Sequence, residues 1–135
     1  MNDSDDYSDI DCEHVLSGAA ARVLMAAKVV SEFMEVETRK QSQLLSRMKL
    51  WADGIPPSKE QFNGNEGRCG GANDRMLVAF KTNKVRLYGF VRHYRGVKTV
   101  IIVDIDAAKK QDKASPRILR RAKEAAVLFD GKCGD

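Results

Sequence analysis

Apolar residues recur at helical spacing through the first part of the chain. Leu16, Val23, Ala27, Val30 and Met34 follow one another at intervals of three, four or seven, and Leu44, Leu45, Met48 and Trp51 repeat the pattern further on. The polar stretch 35–42 divides the two sets, so the spacing predicts two packed helices between residues 15 and 51. Asp53-Gly54-Ile55-Pro56-Pro57 ends the second, because a glycine able to adopt left-handed backbone is followed by prolines that cannot continue a helix. Residues 56–74 then read as a long connection. It holds Gly64, Gly67, Gly70 and Gly71 but lacks the preceding strand, following helix and Gly-Lys-Ser/Thr of a phosphate-cradling loop.

The period changes after residue 75. Residues 76–81 are a short apolar run, residues 84–92 alternate, and residues 99–105 (TVIIVDI) are β-branched and nearly continuous. Thr82-Asn83 separates the first two, and residues 93–98 with Gly96 separate the last two, as in an antiparallel meander with TVIIVDI as its best-buried strand. After a polar loop at 107–114, Ser115-Pro116 supplies an N-cap and a first-turn proline for a final helix. Its inner stripe is Ile118, Leu119, Ala122, Ala126 and Phe129, and Gly131 lies just past its end. The expected fold class is α+β: two N-terminal helices, a three- to four-stranded antiparallel sheet and a C-terminal helix. Residues 14–135 form one domain behind an acidic, loosely attached leader at residues 1–13.

Charge sharpens this outline. The net +4 conceals six acids and no base in residues 1–13, against fourteen bases and three acids in residues 75–123. A basic half this uneven is the footprint of a polyanion site, with RNA the leading candidate. No apolar run is long enough to span a bilayer and the N-terminus has no secretory pattern, so the expectation is a cytoplasmic protein with no membrane partner. Cys12, Cys69 and Cys133 are too scattered for a disulfide framework, and with His14 and His93 they match no structural zinc spacing; neither metal nor cofactor is expected.

Two constellations concentrate the cations. In the strand KVRLYGFVR, alternation sets Val85, Leu87 and Val91 on a helix-packed face and Arg86, Tyr88, Phe90 and Arg92 on the other. Arginine can pair bidentately with phosphate and an aromatic ring can stack on a base, although Phe90 better suits a second core under the final helix and Tyr88 fits either place. Lys81 and Lys84 stand beside the first turn. The second constellation is Lys109, Lys110, Lys113 and Arg117, crowded ahead of the final helix, where cations oppose the helix dipole unless an anion is bound. No Ser-His-Asp or Cys-His arrangement is visible. Asp104 and Asp106 share a strand face and could end the strand, pair with nearby bases or hold a metal.

The stretch MLVAFKTNKVRLYGFVRHYRG followed by TVIIVDIDAAKKQDKASPRILRRAKE, best over residues 75–123, resembles the C-terminal half of RelE/HigB-like toxins of bacterial type II toxin–antitoxin systems, in their phage-related branch. That family begins with a strand that pairs into the sheet, for which the residues before the first expected helix give no signal. The resemblance implies an mRNA interferase that cleaves RNA, in some cases on the ribosome, by metal-independent attack of a ribose 2′-OH, and is neutralised by a cognate antitoxin. It places Arg86 on the scissile phosphate, Tyr88 to stack or act as an acid, and Lys109 with them in the catalytic set. Lys81, Lys84, Arg92, Lys110, Lys113 and Arg117 would hold the RNA backbone. A non-catalytic RNA- or DNA-binding module using the same basic face is the alternative, as is a protein whose basic sheet receives an acidic partner such as its own leader.

Overall fold

The computed structural model describes residues 6–107 and 115–134. A 3₁₀ turn at Ser8–Ile10 leads into β1 (Cys12–Ser17) and β2 (Arg22–Ala26), then α1 (Ala27–Phe33) and α2 (Thr38–Ala52). The two-residue β3 (Phe62–Asn63) precedes β4 (Leu77–Thr82), β5 (Val85–Tyr94) and β6 (Val97–Asp106), and α3 (Pro116–Cys133) ends the order. The sheet runs β1-β2-β6-β5-β4-β3, with β2 parallel to β6 and every other neighbouring pair antiparallel.

This corrects the fold class expected from sequence: the sheet is mixed and six-stranded, and one of the two expected N-terminal helices is largely a hairpin. Residues 12–26 fold as β1 and β2 because the run Arg22–Ala26 is buried at every position. A continuous apolar run carries no period that separates strand from helix, and here pairing with β6 decides the matter. Only Ala27–Phe33 of the first set is helical, and Met34 is exposed. The hairpin also needs Gly18, where an added Cβ would lie 2.4 Å from the Ala52 carbonyl carbon at the end of α2. Short β3 hides in the glycine-rich connection, pairing Phe62 with Phe80.

The remaining elements lie close to where their patterns place them. In α2, Leu44, Met48 and Ala52 face inward, and Gly54 (φ +83°) turns the chain as its N–H bonds to the Trp51 carbonyl. Central β6 is buried from Thr99 to Asp106, and its fully buried aliphatic side chains contribute about 1.5–3 kcal/mol each. At the start of α3 the Ser115 hydroxyl accepts the Ile118 N–H, with Pro116 at the first position.

Both faces of the sheet are covered. Helices α1 and α2 lie on the face of Phe80, Thr82, Val85 and Leu87, where Trp51 meets Phe80 edge-on and Thr82 bonds Gln43. Helix α3 covers the other face, where Arg121 grips Asp104 with two 2.8 Å hydrogen bonds. The second face of β5 therefore carries a second core: Tyr88 and Phe90 are fully buried within it. Nor is the described part of the acidic leader loose. Tyr7, Ile10 and Cys12 are buried, Asp9 pairs with Arg95, and Asp11 pairs with Lys132 of α3.

Candidate nucleic-acid interface

Strand β5 carries cations at both ends of its α3-side face, and the fold treats them differently. Its register sets Lys81, Arg86 and Asp106 in one row across β4, β5 and β6, with Ala79, Tyr88 and Asp104 in the next. Beyond this row the pairing of β5 with β6 shifts by one residue, at a β-bulge between Tyr88 and Gly89. Gly89 is required there, because a Cβ would stand 2.5 Å from the Ile101 carbonyl oxygen.

At the near end an open groove of about 740 Å³ lies around the β4–β5 turn. Gln43 and Arg47 come to it from α2, Ser58, Glu60 and Gln61 from the connection, Lys81 and Thr82 from β4, Asn83 and Lys84 from the turn, and Arg86 from β5. Four of these are cations and Glu60 is the one carboxylate. The Arg47 guanidinium donates to the Lys81 carbonyl at 2.5 Å, which fixes α2 against the strand and sets its charge at the groove. Lys84 adopts left-handed backbone (φ +63°) in the two-residue turn, projecting from its tip. Among the described residues neither Lys81 nor Lys84 forms an ion pair with a carboxylate. Like charges held this close repel one another, and a bound polyanion relieves that repulsion.

The far end is closed. Arg92 is buried against Asp130 of α3 at 2.6 Å and donates to the backbone carbonyls of His93 and Gly134. Asp130 also takes Arg75 at 3.0 Å and Asn73 at 2.8 Å. Burial pushes its carboxyl upward, but hydrogen bonds from Arg75, Asn73 and Arg92 outweigh this and hold it below the usual carboxylate range. Buried Arg22 is equally engaged, donating to the Tyr7 hydroxyl, the Thr99 hydroxyl and the Tyr94 carbonyl.

Of the residues singled out from sequence, Lys81, Lys84 and Arg86 converge on the groove. Arg117 is exposed on the first turn of α3, outside the groove lining. Arg92 sits in the closed far end. Tyr88 has no exposed surface, so no base can stack on it, and burial raises its phenol well above the ordinary range, so it keeps its proton. Lys109, Lys110 and Lys113 lie outside the described residues. Asp104 pairs with Arg121, and no cluster of three metal-ligating side chains occurs among the described residues. Neither His14 nor His93 lines the groove.

Sequence reasoning missed Arg47 and Gln43. Their signal was present: Thr38–Ala52 carries four bases and no acid, and Gln43 and Arg47 are four apart beside the Leu44–Met48 stripe.

No family model, curated protein or solved structure matches the chain. No described helix is long and apolar enough to cross a membrane. A functional reading therefore rests on the groove itself.

Proposed function

We propose that this chain binds RNA through the groove at the β4–β5 turn. The observation that carries the reading is the meeting of Arg47, Lys81, Lys84 and Arg86, from three elements and a turn, around one open trough whose lining holds one carboxylate, Glu60. Stability alone gives no reason to gather cations in this way, whereas a phosphate backbone does. The acidic leader is not the occupant in the described residues, since Asp9 and Asp11 engage Arg95 and Lys132 instead. Titrating the full chain with fluorescent RNA at low salt tests the proposal. Binding should weaken about tenfold or more on Lys81→Ala with Lys84→Asn, and steeply with salt. No binding at low salt, or equal binding by that variant, overturns it.

A second reading adds cleavage, as in the toxins the sequence resembles, with a cognate antitoxin as protein partner. Its specific support is β2, a strand before the first helix that pairs into the sheet as that family requires. Arg86 at the groove would hold the scissile phosphate; Lys109, the other basic member of the expected catalytic set, lies outside the described residues. Expression of the wild type should then arrest growth, and Arg86→Ala should relieve the arrest. Intact transcripts with and without ribosomes would exclude this reading while leaving RNA binding in place.

A further inference from the structure

We infer that the groove grips the sugar–phosphate backbone of base-paired RNA and does not read unpaired bases, an inference that rests on the RNA-binding reading above. Two features of the lining lead there. The first is the orientation of its amides. The Gln43 Oε1 accepts the Thr82 hydroxyl at 2.6 Å, and the Gln61 Oε1 accepts the Ser58 N–H at 3.4 Å. Each oxygen is engaged by the protein, and each Nε2 is left as a donor with no acceptor among the described residues. With the cations Arg47, Lys81, Lys84 and Arg86, donors in the lining outnumber its one carboxylate, Glu60, and the mixed groups of Ser58, Thr82 and Asn83. Phosphate and ribose oxygens are acceptors, whereas base edges present donors and acceptors together and call for a mixed lining.

The second feature is the place of the aromatic rings. Single-stranded RNA is held by aromatic side chains on which its splayed bases stack. Here Phe62 packs on Phe80 with centroids 4.9 Å apart, Trp51 meets Phe80 at 6.0 Å, and Lys98 sits 5.3 Å from the Trp51 ring. Tyr88 and Phe90 are fully buried. Among the described residues no aromatic side chain lines the groove. A strand with unstacked bases finds no platform, but a helix whose bases stack on one another needs none and presents its backbone to an open trough.

Fluorescence anisotropy of the full chain with defined RNAs tests this. The probes are two duplexes of unrelated sequence, about sixteen base pairs long, and their component strands made unable to fold. The two duplexes should bind equally within about twofold, and each at least roughly tenfold more tightly than its strands. Gln43→Glu, which replaces a donor with a charged acceptor, should weaken duplex binding by about tenfold. Strands binding as tightly as duplexes, or duplexes differing by about tenfold between sequences, overturn the inference. In that case sensitivity to the Lys81 and Lys84 substitutions keeps the RNA-binding reading alive. Absence of binding by every probe removes both.

Discussion

Arg86 and Arg92 lie six residues apart on one face of the same strand, and in the sequence they look equivalent. In the fold Arg86 lines an open groove with three other cations, while Arg92 is enclosed by Asp130 and two backbone carbonyls. Arg86 too has a carboxylate, Asp106, across the strand pair, so the difference lies in which helix meets each end. Helix α3 delivers a carboxylate to one end of β5, and the acidic leader places Asp9 and Asp11 at the same end of the molecule. At the other end, α2 delivers another arginine. A cation count along the chain therefore overstates the binding surface, because Arg75, Arg92, Arg95, Arg121 and Lys132 are each paired with a carboxylate.

The largest expected effect breaks the closed end. Asp130→Ala leaves buried Arg92 without its carboxylate and should cost about 3–5 kcal/mol in denaturant unfolding. A loss under about 1 kcal/mol would mean that the arginines find other acceptors. Gly89→Ala should follow at about 1–3 kcal/mol, because the new methyl meets backbone that cannot swing away. It should also weaken RNA binding by shifting Arg86, whereas the Asp130 variant, where folded, should bind as wild type does.

A pH titration sharpens the contrast further. The folded-state pKa of Asp130 is depressed, so its contribution to stability is fully present above the unfolded value near 4 and is lost as pH falls through the folded value. Stability should decline on the acid limb, and Asp130→Asn should flatten that decline; an unchanged slope would show that other carboxylates dominate. The smallest stability effect is expected at the open end. Lys84→Asn suits the left-handed backbone and removes no described ion pair, so unfolding should shift by no more than about 0.5 kcal/mol.

How far the sequence revealed this molecule depends on the signal each part carries. Residues 76–133 alternate or repeat cleanly between turn residues, and their strands and helix lie close to the expected places. Residues 12–26 gave the wrong period because a strand buried on both faces has none, and only the distant β6 identifies it as a strand. Lys81 and Lys84 were legible as cations beside a turn and Arg86 as a cation on a strand face, but their meeting at one groove was not. Arg47 was not, since its position depends on how α2 crosses β4. Alternation correctly separated the two faces of β5, but only the path of α3 decides that Tyr88 and Phe90 are core and that Arg92 is enclosed.

The central claim, that RNA-binding charge resides at the open end alone, is tested most directly by the salt dependence of RNA affinity in three proteins. These are the wild type, the groove variant Lys81→Ala with Lys84→Asn, and the far-end variant Arg95→Ala with Lys132→Ala. Each phosphate-contacting cation adds about one to the slope of log affinity against log salt, so the groove variant should lose about two and the far-end variant nothing. A slope that falls in the far-end variant, or that is unchanged in the groove variant, would contradict the account.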